Sequence, residues 1–450
     1  MRIMIVGAGL VGQYLCGKFS AEGHEVVLVD RDKDKLTRIE RDLNIMTVHG
    51  SGASARILAE AGIARTGLFI AVTDSDEVNL ISCIMSRPYD VGTRIARVRN
   101  EDFLTPGAHA ADDTLGIDLI ISPDWAMTEE IVQLLQVSAA FDMAEFAGGR
   151  VLLLGYQVRA DNPHAGLSLI QLKQRPGAHN YVLVAIIRQG DTIIPRGADT
   201  IQAGDKIYLM VRRDDRATTE QFFAFTSEPP RRVFIIGGGD IGYMVARRLE
   251  EFDLTVKLVE SDTERCQFLA ENLGRTTVLN CDGLESHDLL EEGIDLADLV
   301  ICVTEHDSTN ILASLLAKHH GTKRCIIRIN QHDFVPMLGK LGIDVALSPR
   351  LVAANMILRY VRRGEIVSVA TILDSDAEAM EFAVPEGAVI ADTPLRQLSL
   401  PAGSIIGAVR REERIFIPSG ETVIRGGDIL VVFFARGAAE TLETFFTQTH

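Results

Sequence analysis

A six-residue glycine signature occurs twice in this chain, each time between a short apolar strand and a helical pattern, and no other feature restricts its folding as tightly. Arg2–Val6 runs into Gly7, Ala8, Gly9, Leu10, Val11 and Gly12, and Arg232–Ile236 runs into Gly237, Gly238, Gly239, Asp240, Ile241 and Gly242. In G-x-G-x-x-G the first glycine takes a tight turn, the second lets backbone approach a pyrophosphate, and the third lets the helix pack closely on the strand. The start of that helix aims its unpaired N–H groups and the positive end of its dipole at an anion. An acidic residue closes the next apolar strand in both copies: Asp30 after Glu25–Val29, and Glu260 after Thr255–Val259. A carboxylate there suits a free ribose diol and repels a 2′-phosphate, favouring NAD or an adenosine nucleotide over NADP. Arg31, beside Asp30, weakens that preference slightly.

The repetition extends well beyond the glycines. Gly7 and Gly237 are 237 − 7 = 230 positions apart, and so are Asp30 and Glu260. The box Thr73-Asp74-Ser75-Asp76-Glu77-Val78-Asn79 returns as Thr304-Glu305-His306-Asp307-Ser308-Thr309-Asn310 at an offset of 304 − 73 = 231, and Ile95-Ala96-Arg97 returns as Ile326-Ile327-Arg328 at the same offset. Pro195 and Gly204-Asp205 return as Pro418 and Gly427-Asp428, both offset by 223. Agreement in order, spacing and residue type along the chain implies a tandem duplication.

Within the first copy, strands at Arg2–Val6, Glu25–Val29, Met46–Val48, Leu68–Val72, Arg94–Val98 and Leu119–Ile121 alternate with helical patterns. That alternation predicts parallel pairing in a doubly wound sheet, with its ligand crevice at the carboxyl ends of the strands. A helical segment follows at Pro123–Val137, then a turn-rich stretch with strands at Tyr181–Arg188, Ile193–Pro195, Ile201–Ala203 and Lys206–Val211, in which Asp205 reads as a turn residue. Ser227-Glu228-Pro229-Pro230 reads as a linker, because Pro-Pro resists helix and central strand alike. The expected architecture is α/β: two Rossmann-like doubly wound parallel-sheet domains, each followed by a small α+β subdomain. The expected divisions are 1–124, a crossover helix at 125–140, 141–227, 231–350, a second crossover helix at 351–363, and 364–450.

Lys+Arg 45 against Asp+Glu 62 gives a net charge of −17, which argues against non-specific nucleic-acid binding or a polybasic membrane anchor. The six cysteines are scattered, with no C-x-x-C pair and no histidine spacing suited to zinc, and read as reduced core residues. The first apolar strand breaks into glycines too soon for a signal-peptide core, and no apolar run approaches the roughly 20 residues of a membrane span. The expected location is the cytoplasm, with any membrane association made through another protein.

Thr73-Asp74 and Thr304-Glu305 end strands at one edge of their sheets and should line the crevices; helix N-capping by Thr73, Ser75 or Asp76 is the competing account. Arg97 and Arg328 end buried-looking strands, where a guanidinium needs a phosphate or a carboxylate beside it. His164 and His179 read as solvated loop residues, and His306 and His332 as structural residues of the second sheet domain. No convincing acid-base set accompanies them, and no catalytic residue is assigned.

Together, the strand–glycine turn, the acidic residue, the Gly50-Ser51-Gly52 and Cys281-Asp282-Gly283 turns, the T-x-x-D-x-x-N boxes, the Ile-Ala-Arg strand and the Ser-Pro before a crossover helix resemble RCK/KTN domains. Two such pairs in one chain resemble the TrkA family, cytosolic regulatory subunits of bacterial Trk potassium uptake. The resemblance implies NAD(H) or ATP/ADP in the crevices, with Gly7, Ala8, Gly9, Leu10, Val11, Gly12, Asp30, Thr73, Asp74 and Arg97 forming the first set. Gly237, Gly238, Gly239, Asp240, Ile241, Glu260, Thr304, Glu305 and Arg328 form the second. It further implies a homotetrameric ring at the inner face of the membrane, beneath an integral-membrane Trk-type potassium transporter subunit, and a non-enzymatic role. The chain departs from the family pattern at Gly50-Ser51, where Gly-Asp is usual, and at Asp240, which adds negative charge beside the phosphate position. The resemblance gives the small subdomains no identified ligand. Ala354, Ile357, Leu358 and Val361 form an apolar stripe that could face a partner lobe or its own domain. The alternative function is an NAD-dependent dehydrogenase, which would need an acid-base residue and a substrate pocket at the nicotinamide.

Overall fold

The computed structural model describes residues 1–100, 103, 115–137, 139–177, 180–225, 229–331, 334–361, 366–371, 377–435 and 438–447. His179, His332 and the Ser227-Glu228 half of the expected linker lie outside these residues.

The first sheet contains β1 (Arg2–Val6), β2 (Glu25–Asp30), β3 (Met46–His49), β4 (Leu68–Ala71), β5 (Thr93–Arg97) and β6 (Leu119–Ile121), in the order β3-β2-β1-β4-β5-β6. Every pairing in it is parallel. Strands β1 and β4 are buried along their whole length, which is why they read as unbroken apolar runs rather than as alternating ones. This sheet belongs to a compact unit made of Met1–Glu129, Arg328–Asn330 and Leu347–Val361.

The last of these segments comes from the far half of the chain. Helix Pro349–Val361 buries Ala353, Ala354, Ile357 and Leu358 in the same core as Ile3, Ile5, Leu15, Leu28 and Ile70. Its apolar stripe therefore covers the first sheet, alongside helix Leu10–Ala21. On the other face, Ile57 and Leu58 of helix Ala55–Glu60 and Leu80 and Cys83 of helix Asp76–Ser86 pack on Met4, Val27, Phe69 and Ala96.

The other compact unit comprises Glu130–Ile327, Gln331–Ala346 and Arg362–His450. It holds two antiparallel sheets. The first consists of β7 (Asp142–Phe146), β8 (Val151–Gln157), β9 (Tyr181–Arg188), β10 (Asp191–Ile193) and β11 (Lys206–Arg212), in the order β10-β9-β11-β8-β7. The second parallel sheet follows: β12 (Arg232–Ile236), β13 (Thr255–Glu260), β14 (Thr277–Asn280), β15 (Leu299–Cys302), β16 (Arg324–Arg328) and β17 (Val345–Leu347), in the order β14-β13-β12-β15-β16-β17. The last sheet is β18 (Ile366–Thr371), β19 (Ala377–Ala383), β20 (Ser404–Arg411), β21 (Arg414–Phe416) and β22 (Ile429–Ala435), in the order β18-β19-β22-β20-β21.

Two sequence expectations need correction here. The hairpin β7–β8 escaped a reading that placed its strands only from Tyr181 onward. Ile201–Ala203 is not a strand; Ile201 is a core side chain on a loop, and an ion pair fixes that loop. Arg188 donates through Nε and Nη2 to the two carboxylate oxygens of Asp205, at 2.8 and 2.7 Å, and through Nη2 to the Thr200 carbonyl. Asp205 also accepts from the Gln202 N–H, so its burial at 2% exposure is compensated by a bidentate, charge-assisted pair. The same set returns 223 residues on, with Arg411 bridging Asp428 and the Val423 carbonyl and the Arg425 N–H donating to Asp428.

The two antiparallel sheets share one apolar core, in which Val184, Ala185, Tyr208 and Met210 meet Ala377, Ala379, Ala408 and Phe433. Glu381 is buried in this unit at 1% exposure. Its carboxylate accepts from the Ala147 N–H, where the backbone has a positive φ of 52°, while Oε2 has no hydrogen-bond partner among the described residues. Burial raises its pKa, against the opposing pull of the Ala147 N–H and Arg410.

Truncating Ile357, fully buried between its helix and the first sheet, should cost about 2–5 kcal/mol in Ile357→Ala, read as a lower urea midpoint of the full chain. Glu381 favours its protonated form when folded, so its stabilising share is complete below the ordinary carboxylate pKa and is lost as pH rises through the raised folded value. Wild type should therefore lose stability relative to Glu381→Gln as pH rises above the ordinary carboxylate pKa, measured by urea unfolding at each pH.

Candidate functional site

The first crevice is built at the carboxyl edge of β1, β2 and β4. After Val6 the chain turns at Gly7, with φ +114°, while its N–H donates to the Val29 carbonyl at 2.8 Å. A Cβ on Gly12 would stand 1.9 Å from the Gly7 carbonyl oxygen, so this position must be glycine for the helix to start where it does. A Cβ on Gly9 would meet nothing within 4 Å, which leaves the middle of the loop open toward the crevice. Helix Leu10–Ala21 begins with no side-chain cap and no acidic residue in its first turn, leaving its first N–H groups to outside acceptors.

Asp30 closes β2 beside this loop. Its Oδ2 accepts from the Ala8 N–H at 2.5 Å and its Oδ1 from the Asp32 N–H at 2.8 Å, so the carboxylate is fixed in place before any ligand arrives. Asp30, Thr73 and Asp74 line a crevice of about 400 Å³ together with Gly9, Lys35, Gly50, Gly52 and Ser75. A Cβ on Gly52 would fall 2.2 Å from Val6 Cγ1, which keeps this wall close to β1.

The threonine box resolves into three distinct roles. Ser75 is the N-cap, its Oγ accepting from the Val78 N–H at 3.2 Å. Asp76 accepts from the N–H groups of Arg99 and Asn100, tying the following loop to the helix start. Thr73 is held by Asn79, which is completely buried: Oδ1 accepts from the Thr73 N–H and Oγ1, and Nδ2 donates to the carbonyls of Thr73 and Arg97. Sequence reasoning had Asn79 only as the end of a box; its recurrence as Asn310 was the available signal.

The other expected residues divide. The side chains of Val11 and Ile241 are buried, so only their backbone can face a ligand, whereas Leu10 is 53% exposed. Arg97 is not part of the crevice lining. Its Nε has no hydrogen-bond partner among the described residues, and burial, with neighbouring Arg99, lowers its pKa against the pull of Asp124, Asp74 and Asp76. His164 is not solvated: it is 4% exposed, its ring nitrogen 2.6 Å from the Phe222 carbonyl and its ring stacked on Phe222. His306 is exposed, just before helix Asp307–His319. Five cysteines are buried and Cys281 is half-buried, all as free thiols.

The second loop repeats the design. Gly237 has φ +108°, a Cβ on Gly242 would stand 1.9 Å from the Gly237 carbonyl oxygen, and Gly239 is open. Glu260 accepts from the Gly238 N–H at 2.8 Å through Oε2 and from the Asp262 N–H at 2.9 Å through Oε1. Thr304 is held by Asn310 as Thr73 is by Asn79, Glu305 follows it, and Arg328 is the last residue of β16. The difference is Asp240, which occupies the first helical position that Leu10 holds in the first copy.

The TrkA-N domain matches residues 3–123 and 233–349, and the TrkA-C domain matches 153–224 and 379–447. The chain is 35% identical to the Trk system potassium uptake protein TrkA of Halomonas elongata, over 96% of this chain and 95% of that one. It is 32% identical to TrkA homolog 2 of Methanosarcina mazei, over 99% and 100%. Among solved structures, the GsuK RCK domain shares the fold, with a TM-score of 0.60 at 22% identity, covering 99% of this chain and 94% of that one. Fold and crevices define a tandem protein of RCK-type fold. The domain matches and full-length relatives narrow this further: the chain belongs to the TrkA family of Trk potassium uptake proteins.

The two loop glycines should separate on substitution. Gly12→Ala should destabilise the chain by about 1–3 kcal/mol through overpacking, whereas Gly9→Ala should stay within about 0.5 kcal/mol of wild type, both by urea unfolding.

Proposed function

We propose that this chain senses cellular adenine nucleotides, NAD(H) and ATP or ADP, and passes their occupancy to a membrane-embedded Trk-type potassium transporter subunit. The observation carrying this reading is the first crevice, where an uncapped helix start, the open Gly9 and the fixed Asp30 carboxylate face one space of about 400 Å³. The remaining lone pairs of Asp30 suit the hydroxyls of a ribose, and Gly9, Leu10 and Val11 present backbone N–H groups to a diphosphate, while the N–H groups of Gly7 and Ala8 shape the loop by donating to the Val29 carbonyl and to Asp30. Thr73 and Asp74 line the same space, and Arg97, at the end of β5, lies outside that lining. Gly237 through Ile241, Glu260, Thr304, Glu305 and Arg328 form the corresponding second set. In support, a GsuK channel of the same fold is described as bound to NAD, with a TM-score of 0.61.

In this reading residues 1–124 and 231–350 are the nucleotide lobes, and 141–227 and 364–450 relay their state. The assembly is a homotetrameric ring at the inner face of the membrane, held there by the transporter, and none of the described helices is long and apolar enough to cross the membrane itself. No bond is made or broken. Control is a coupling free energy, commonly about 1–3 kcal/mol per pair of sites, between crevice occupancy and domain arrangement. A nucleotide drives the change only to the extent that it binds the two arrangements unequally.

The test is a thermal-shift panel of NADH, NAD, ATP and ADP on wild type, Asp30→Ala and Glu260→Ala. Bound nucleotide should raise the wild-type melting temperature by several degrees, and Asp30→Ala should abolish the NADH response. An unchanged response in Asp30→Ala would remove Asp30 from the site, and steady consumption of NADH by the purified chain would replace sensing with catalysis.

A further inference from the structure

The two glycine loops share a frame and carry different charges around it. In the second copy, Asp240 places a carboxylate in the first turn of helix Asp240–Leu249, where the first copy has no acidic residue. Arg265 reaches across to it. Its Nε donates to the Gly238 carbonyl at 2.7 Å, its Nη2 lies 3.2 Å from Asp240 Oδ1, and its guanidinium stacks 4.8 Å from the centre of the Phe268 ring.

The corresponding cation of the first copy, Lys35 (265 − 230 = 35), has its Nζ 3.8 Å from Asp32 instead, and the Ala8 carbonyl accepts from Gln13 Nε2. In the second copy, then, the positive helix start and the arginine at the loop both already face an anion supplied by the chain. A helix start attracts negative charge whatever its source, so Asp240 and a ligand phosphate compete for one field.

Resting on the nucleotide reading above, we propose that the Asp240–Arg265 pair is an intramolecular stand-in for a bound phosphate, which makes the second crevice discriminate between nucleotides by their phosphate charge. The Asp240 side chain is 82% exposed and the pair is of the weakly held surface kind, so a ligand can take Arg265 from it. The displaced carboxylate stays beside the phosphates and repels them in proportion to their charge. A dinucleotide with its single diphosphate meets less of this repulsion than ATP does. The second crevice therefore selects NADH over ATP, and the first crevice lacks that bias.

The experiment uses the full chain carrying Gly9→Glu, which places a carboxylate in the first cradle where a Cβ meets nothing within 4 Å, so that titration reads the second crevice alone. ATP and NADH are titrated calorimetrically into G9E, G9E/D240N and G9E/D240N/R265Q, with matching urea midpoints confirming that each is folded. D240N should raise ATP affinity about tenfold and NADH affinity less than about threefold, and R265Q should remove the ATP gain. An ATP-to-NADH affinity ratio unchanged by D240N overturns the proposal, as does an ATP gain that survives R265Q. So does failure of the G9E chains to bind either nucleotide. In that last case NADH binding by the wild-type chain leaves the nucleotide reading standing through the first crevice, whereas its absence there removes that reading as well.

Discussion

The packing of a glycine against a carbonyl oxygen governs how this molecule presents itself. Gly12 lies so close to the Gly7 carbonyl that a single added carbon would sit at 1.9 Å, and Gly242 stands in the same relation to Gly237. This approach lets helix Leu10–Ala21 start directly over the end of β1, with its first N–H groups pointed out of the sheet edge. Once that geometry is set, the end of the neighbouring β2 can only come up beside the loop, and Asp30 locks the two together by accepting from the Ala8 N–H. An anion cradle and a ribose-type acceptor thus follow from one steric constraint.

A second layer of order comes from buried amides. Asn79 and Asn310 each use both ends of the side chain to fix a threonine at a strand end, and Asn79 also holds the carbonyl of Arg97. A buried amide satisfied at every atom defines a unique arrangement, because any shift leaves polar groups unpaired in a low-dielectric interior. The Arg188–Asp205 and Arg411–Asp428 pairs do the same for the turns of the small sheets. These networks set the crevice walls and the antiparallel sheets as rigid parts.

Duplication has preserved the frame and varied the charge. Glycines, acidic strand ends, threonine–asparagine pairs and arginine–aspartate turns recur with nearly constant offsets, whereas Leu10 becomes Asp240 and Lys35 becomes Arg265. Frame positions answer to steric and hydrogen-bonding demands that tolerate almost no alternative. A surface charge at a crevice mouth answers to neither demand, so it can diverge without cost to the fold.

Much of this was legible in the sequence, because β1, β2 and β4 are buried apolar runs between helical patterns and because glycine is required by local backbone geometry. The parallel sheets, both phosphate-type loops and the acidic residues at 30 and 260 rest on short-range rules that act within one strand–turn–helix. Three things did not. Helix Pro349–Val361 covers the first sheet although some 340 residues separate it from β1, a choice made by complementary apolar surfaces that no local pattern encodes. Neither the hairpin β7–β8 nor the loop position of Ile201 is legible locally, because a fully buried loop side chain reads like strand core until the neighbouring Arg188–Asp205 pair is seen. His164 reads as a solvated residue because nothing near it in sequence reveals the rings of Phe222 and Phe223 packed against it. The sequence by itself determined the repeated chemistry, since turns and strand ends are decided by the residues that occupy them. Only the tertiary structure decided which faces meet and which charges find partners, since those depend on distances between segments that the chain order leaves open.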